Sequence, residues 1–290
     1  MDEPLRPSEE GERDEFFGAL YYETTAELLT EGMTRTEAAL ISGLLEMEPA
    51  GRYLDLGCGH GRHLRAMYEL GFPHTYGLDR SRDYLRLAAR GSPPSDWSAH
   101  RGDVTSSSRV ETKGEKVKKE DALPLRGRIV AGDTRDLPLR DSAFDGAYSW
   151  YSSLFFFDDE TNRRVLKEAT RTLKPGGLLL LNGTNPKRLG REPIVRHVGR
   201  TRAGGLVEEL ARFDSSSGVE RFFRRLTRRD GSVLEGRWSM RHYGPKEMVL
   251  LLRECGCVLE KVSDEHGRPF DESGSLDMVT LARRSNPKTP

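Results

Sequence analysis

The sequence predicts an α/β protein: a doubly wound, mostly parallel seven-stranded sheet with an antiparallel edge, an N-terminal helical cover and an inserted β-hairpin lobe. Three observations predict it. Short apolar runs alternate with segments of helical periodicity, which implies parallel strands joined by crossover helices. A glycine-rich turn, Gly57 to Gly61, joins an apolar run to a helical segment. Two polar stretches, 91–126 and 187–230, interrupt the alternation and mark where extra structure is inserted.

Taken in order, residues 1–15 are read as a disordered, solvated N-terminus, because residues 1–16 hold seven acids and two arginines with almost no apolar periodicity. From Phe16 two helical stretches follow. The second runs over 34–47, with Ala38, Ala39, Ile41, Leu44 and Leu45 at helical spacing behind a Thr34 or Thr36 cap. Tyr53 to Leu56 is the first strand, His60 to Leu70 a helix stopped by Gly71, His74 to Leu78 the second strand and Ser81 to Ala89 its helix. Residues 91–126 have no countable periodicity and are read as a flexible insertion. Strands are then expected at 129–131 and 144–150, a helix over 158–173, and a doubly buried strand over Leu178–Leu181 after a turn at Lys174-Pro175-Gly176-Gly177. This core, 16–185, gives way to a substrate lobe over 186–243. Within the lobe a hairpin pairs 219–226 with 232–240 and turns at Asp230-Gly231. Residues 244–284 return to the core with a helix over 244–255, Pro245 in its first turn and Gly256 past its end, then strands at 258–262 and 276–281. Residues 285–290 are a tail.

Composition narrows the function. The 290 residues carry 46 Lys and Arg against 46 Asp and Glu, so the chain lacks the basic excess of a protein that holds nucleic acid by neutralising phosphates. Residues 187–230 do hold twelve Lys and Arg against six acids, a patch that suits an acidic substrate or RNA but reads more simply as solvated surface. No apolar run reaches the ~20 residues that span a bilayer and the first residues lack a secretory leader, so a cytoplasmic protein is expected. Three cysteines, with only Cys255 and Cys257 close together, make neither a disulfide framework nor a metal site.

The chemistry concentrates at Asp55-Leu56-Gly57-Cys58-Gly59-His60-Gly61. Glycines there permit a tight turn and close approach of a ligand to backbone N–H groups at a helix start. Asp79 ends the next strand 22 residues after Gly57, where a carboxylate can accept both ribose hydroxyls of a nucleoside. On these residues the chain resembles the class I S-adenosylmethionine-dependent methyltransferases, whose core is Rossmann-like. The resemblance implies S-adenosylmethionine as cofactor, with Asp55 near its methionine end, Gly57, Cys58, Gly59 and Gly61 beneath it, and Asp79 and Arg80 at the ribose. Gly132-Asp133-Thr134-Arg135 is similar to the family's third-strand motif, which would set Asp133 at the adenine amino group with Thr134 and Arg135 beside the ring. Phe144 to Trp150 is similar to the fourth strand, bringing Ser149 to the pocket. Arg101-Gly102-Asp103 is a rival third-strand match, disfavoured because Leu137-Pro138-Leu139 and Phe144-Asp145 follow Asp133 at the family's distance. By the same analogy Tyr21 and Tyr22 lie over the methionine moiety; aromatic packing of the cover is the other reading.

No residue announces itself as a base. Tyr151, just after the fourth strand, and Arg241 and Tyr243 at the end of the hairpin are the catalytic candidates, with structural anchoring as the competing role for the last two. His60 and His63 are not expected to act as ligands, and His242 reads as a satisfied surface residue rather than a base. The expected acceptor is a small molecule, with a protein, peptide or RNA acceptor, or a non-catalytic cofactor-binding module, as alternatives. A nicotinamide dehydrogenase is disfavoured by the glycine spacing. A monomer or homodimer is expected.

Overall fold

The computed structural model of the chain describes Leu5, residues 16–90, Leu125 and residues 127–286. The N-terminal disorder, the insertion with Asp103, and the last four residues of the tail lie outside the described residues. A π-turn, Phe16–Leu20, leads into helix α1 (Tyr21–Thr24), a 3-10 turn (Ala26–Leu28) and helix α2 (Glu31–Leu44). The core then runs β1 (Tyr53–Leu56), α3 (Arg62–Glu69), β2 (Thr75–Asp79), α4 (Arg82–Arg90), β3 (Ile129–Ala131), β4 (Phe144–Ser149), α5 (Asp159–Thr172) and β5 (Leu173–Thr184). After α6 (Pro186–Leu189) come β6 (Ile194–Arg200), β7 (Leu206–Asp214), β8 (Val219–Thr227) and β9 (Val233–Arg241). Helix α7 (Pro245–Glu254), β10 (Cys257–Ser263) and β11 (Asp277–Arg284) close the chain.

The main sheet has seven strands in the order β10-β11-β5-β4-β1-β2-β3. Strand β11 is antiparallel to both β5 and β10, so the reversed strand is second from the edge. Alternation sorts the core onto two faces. Leu54, Leu179 and Leu181 meet Val165, Leu166, Ala169, Leu251 and Leu252 of α5 and α7, while Tyr53, Leu178 and Leu180 meet Ile41, Leu45 and Met67 of α2, its C-terminal end and α3. This is why the Leu178–Leu181 run carries no polar position. The sheet reverses its winding between β1, which pairs β2 on one side, and β4 on the other, and ligands bind at that switch point in such sheets.

Three sequence expectations are corrected. Helix α2 starts a turn earlier than predicted because Thr30, not Thr34 or Thr36, is its cap: the Thr30 hydroxyl accepts from Met33 N at 3.2 Å. Thr34 and Thr36 bond back to carbonyls of the preceding turn. Lys174 to Gly177 does not precede β5 but bulges within it, Phe144 and Gly146 facing Leu173 and Leu178 across a register break. In the lobe the predicted hairpin is present as β8 and β9, but residues 194–214, read only as a basic polar stretch, add β6 and β7 to make a four-stranded antiparallel sheet, β6-β7-β8-β9. Its first two strands were hidden because six of the seven residues of β6 are exposed and the outer face of β7 carries glutamate and arginine, so neither shows a clean apolar alternation.

The inner face of this lobe carries the N-terminal segment. Phe16 stacks on Trp238 at 3.5 Å between ring centres, and Trp238 on Phe222 at 4.7 Å. Gly236 allows it, since a Cβ there would lie 2.9 Å from Phe16 and Leu20. Arginines expected to be solvated instead tie lobe to cover. Arg224 donates to Thr24 and Thr25 and pairs with Glu209, and Arg228 forks onto Glu23 at 2.7–2.8 Å.

Candidate cofactor site

The turn after β1 needs three glycines. Gly57, Gly59 and Gly61 hold φ of +79°, +53° and +74°, conformations costly to a residue with a Cβ. At Gly57 a Cβ would also come within 2.8 Å of Ser153 Cβ, whereas at Gly59 it would meet nothing within 4 Å. The turn thus packs on one side and is open above Gly59. Asp79, at the end of β2, holds it: one carboxylate oxygen accepts from Gly59 N and the other from Ser81 N, each at 2.8 Å. Burial raises the Asp79 pKa, and these N–H donors lower it in part.

Around the turn lies a set of buried polar atoms that make no close hydrogen bond among the described residues: Ser149 Oγ, His60 Nε2, Arg62 Nη2, and the Asp55 Oδ2 and Tyr148 Oη pair, which interact with each other. Buried polar groups are ordinarily paired, so a concentration of orphans at one switch point fits a polar ligand. Burial pushes Asp55 up to about 7, against the lowering influence of Arg62 and of the neighbouring Tyr148 hydroxyl. The donor set suits S-adenosylmethionine: an acid for its ammonium, a guanidinium nitrogen for its carboxylate, and open space above glycine for its bulk.

Arg62, which the sequence reading passed over, belongs to a second cluster with Glu37 of α2. One Glu37 oxygen accepts from Arg62 Nη1 at 2.5 Å and His63 Nε2 at 3.0 Å, the other from Tyr151 Oη at 2.5 Å. Burial would raise Glu37, but the His63 hydrogen bond, the Arg62 charge and the Tyr151 hydrogen bond bring it down to about 2. Burial lowers His63 to about 4, so a neutral imidazole donates its N–H. Burial and the Glu37 hydrogen bond lift Tyr151 well above the usual phenol range. Tyr151 and Ser152 both stand at positive φ, +57° and +55°, as the chain leaves β4, and Asn182 secures them by accepting from Tyr151 N and Ser152 N. The only advance signal for Arg62 was its place one residue after the third glycine; nothing local marked Glu37, because its role depends on α2 crossing onto α3.

The remaining expected residues divide. Tyr21 is half-buried and within electrostatic reach of Arg62, Arg224, Asp79 and Glu37, so it borders the cleft. Tyr22 is buried against His60 and Tyr84, which is aromatic packing of the cover. Cys58 is buried among Leu64, Leu85 and Ala88. Asp133 directs its carboxylate to Arg135, whose backbone N, Nε and Nη2 donate at 2.6–3.0 Å, and Arg135 lies over the Phe157 ring at 4.9 Å. That bond holds Asp133 below the usual carboxylate range, with the Arg80 charge a smaller contribution. Thr134 is half-buried beside this pair. Arg241 and Tyr243 do not join the clusters. Arg241 bridges Asp159 and Glu247, and Tyr243 donates to Asp159 at 2.7 Å and accepts from Asn162 at 3.1 Å, pinning β9 to α5 and α7. His242 is buried against Glu220 at 2.9 Å. Among the described residues no group of three or more His, Cys, Asp or Glu could hold a metal, and no helix is long and apolar enough to cross a membrane.

A glycine turn clamped by an acid on the neighbouring strand, at the switch point of a β10-β11-β5-β4-β1-β2-β3 sheet, is the geometry of a nucleotide-type cofactor site. Residues 54–181 match the family described as "Methyltransferase domain", and over that span the chain is similar to S-adenosylmethionine-dependent methyltransferases. Among curated proteins it is 29% identical over 206 residues to O-methyltransferase resE of Aspergillus sclerotiorum, covering 66% of this chain and 62% of that protein. It is also 29% identical over 145 residues to 24-methylenesterol C-methyltransferase 2 of Oryza sativa subsp. japonica, covering 50% of this chain and 32% of the relative. The chain therefore spans less than two thirds of each of these relatives. Among solved structures the CcbJ methyltransferase of Streptomyces caelestis superposes with a TM-score of 0.66 at 18% identity, covering 91% of this chain and 98% of that one. CalS10, an amino pentose methyltransferase of Micromonospora echinaspora solved with S-adenosylmethionine bound, does so with 0.54 at 21%, covering 87% and 92%.

Proposed function

We propose that this chain methylates a small organic acceptor held between the C-terminal ends of β1 and β4 and the inner face of the lobe. The observation that carries the reading is the set of buried polar groups, Ser149 Oγ and Arg62 Nη2 unpartnered among the described residues and the Asp55 carboxyl met only by the Tyr148 hydroxyl, around a turn open above Gly59. When bound, S-adenosylmethionine supplies an electrophilic methyl group on a sulfonium. Asp79 would take its ribose, Asp55 its ammonium and Arg62 its carboxylate, while Asp133, Thr134 and Arg135 border the base; Gly57, Gly59 and Gly61 keep the floor free of side chains. In-line displacement asks the protein mainly to position a nucleophile and exclude water. The aromatic N-terminal segment, seated on Trp238 and bordered by Tyr21, provides the exclusion.

Tyr151 is a positioning residue in this account. Its phenolic proton is committed to Glu37, so its oxygen presents lone pairs to the cleft and favours an acceptor bearing N–H or O–H. A phenol whose pKa is pushed far above 10 is no base at neutral pH, and Glu37 near 2 is a poor one. The reading thus suits an amine, which is nucleophilic once neutral, or an acidic hydroxyl. An RNA acceptor is disfavoured because Arg224 and Arg228 of the lobe are engaged by Glu209, Glu23 and threonines. A cytoplasmic location belongs to the same proposal.

The test is transfer of labelled methyl from S-adenosylmethionine to three acceptor pools offered separately: small amines and phenols, bulk tRNA, and peptides. Label confined to the small-molecule pool is expected. Label in tRNA or peptide, with none in the small molecules, would overturn the reading of the acceptor.

A further inference from the structure

Strand β6 forms the outer edge of the lobe sheet and leaves that edge unprotected among the described residues. It pairs with β7 over seven consecutive residues, Ile194↔Arg212 to Arg200↔Leu206, without a bulge; Arg196 and Arg200 are its charged residues and Pro193 precedes it. A bulge or a covering segment commonly blunts natural edge strands, since a free row of N–H and C=O groups invites another strand. Three aliphatic side chains on it are exposed, Ile194, Val195 and Val198 at 54%, 43% and 67%, beside Arg196 and Arg200. The lobe's outer face continues the pattern, with Ile194 and Val198 on the same face as Leu206 and Leu210 through their register partners.

We propose that β6 is a homodimer interface, in which β6 of a second copy pairs antiparallel across a two-fold axis at His197. The sequence of the strand is self-complementary in that register. Residue 196 then faces 198 of the second copy and residue 194 faces 200, so each arginine meets an aliphatic side chain and no arginine meets another. A parallel in-register pairing would instead stack Arg196 on Arg196 and Arg200 on Arg200. The antiparallel arrangement joins the two four-stranded lobe sheets into one, is isologous as a closed dimer requires, and leaves the inner lobe face on the N-terminal segment untouched. The inference concerns assembly and does not depend on the methyl acceptor.

The register predicts a charge-swap rescue, read as mass by sedimentation equilibrium at about 20 μM protein, well above the Kd of a typical specific dimer. The unmodified chain is expected at twice the monomer mass. Val198→Arg sets two arginines against Arg196 of the facing copies and is expected at monomer mass. The double variant Arg196→Glu with Val198→Arg replaces that repulsion with two Glu–Arg pairs and is expected to return to the dimer. Thermal melts of both variants should match the unmodified chain, because both positions are exposed. A monomeric unmodified chain, a Val198→Arg chain that stays dimeric, or a folded double variant that stays monomeric would each overturn the proposal. A Val198→Arg chain that fails to fold would overturn its premise of an exposed edge.

Discussion

Replacing Asp55 by asparagine separates what the site costs the fold from what it gives the ligand. Asp55 is 2% exposed, its carboxyl is met only by the Tyr148 hydroxyl among the described residues, and burial raises its pKa from 3.8 to about 7. A carboxyl group whose folded pKa lies above its unfolded value binds its proton more tightly in the fold. Its contribution to stability is fully present below about pH 4 and is lost as pH rises through 7. The rise from 3.8 to about 7, at about 1.36 kcal/mol for each pH unit, puts that loss at about 4 kcal/mol by pH 8, an upper bound because local relaxation and water entry soften it. An asparagine side chain carries no such ionisation. Asp55→Asn is therefore expected to stabilise the ligand-free protein by about 2–4 kcal/mol at pH 8 and by almost nothing at pH 4. It should also weaken S-adenosylmethionine, whose ammonium loses its counter-charge. For the unmodified protein the same linkage makes affinity fall by up to about tenfold for each pH unit below 7. Urea unfolding from about pH 4 to pH 9, paired with calorimetric titration at each pH, reads both quantities. An Asp55→Asn protein that is less stable than the parent at pH 8, or that binds the cofactor equally well, would refute the reasoning.

Three further outcomes follow from the same geometry. Gly57→Ala forces a Cβ into a +79° φ and to 2.8 Å from Ser153 Cβ, and should cost about 1–3 kcal/mol in denaturant melts together with most cofactor affinity. Glu37→Gln removes a carboxylate held near 2, whose stabilisation exists above about pH 4.5 and fades as pH falls towards 2. It is expected to lose about 2–3 kcal/mol at pH 7, less at pH 3, and to lower the Tyr151 titration seen in the alkaline ultraviolet spectrum. Trp238→Ala removes a ring sandwiched between Phe16 and Phe222, and should cost about 3–5 kcal/mol and raise protease sensitivity at the N-terminal segment.

The core was legible in the sequence because its signals are local. Strand runs such as Tyr53–Leu56 and Leu178–Leu181, the glycines at 57, 59 and 61, and Pro245 opening α7 each encode a backbone conformation within a few residues. Asp79 could be read for the same reason, since its spacing from Gly57 follows from one strand–helix–strand unit. Features that depend on distant segments could not. Glu37 meets Tyr151 across 114 residues and Arg228 meets Glu23 across 205, so no window of sequence pairs them. Strands β6 and β7 were obscured because an outward-facing arginine looks the same in a strand as in a loop. The roles of Arg241 and Tyr243 turned on Asp159, the first residue of α5, which stands 82 residues before one and 84 before the other.

The central claim is a cofactor site organised by Asp79 around the glycine turn. Calorimetric titration of the folded chain with S-adenosylmethionine and S-adenosylhomocysteine, beside Asp79→Ala, tests it most directly. Micromolar binding of both by the parent, abolished in an Asp79→Ala protein that still melts cooperatively, is the predicted result. No heat of binding from the folded parent, or affinity undiminished without Asp79, would contradict it.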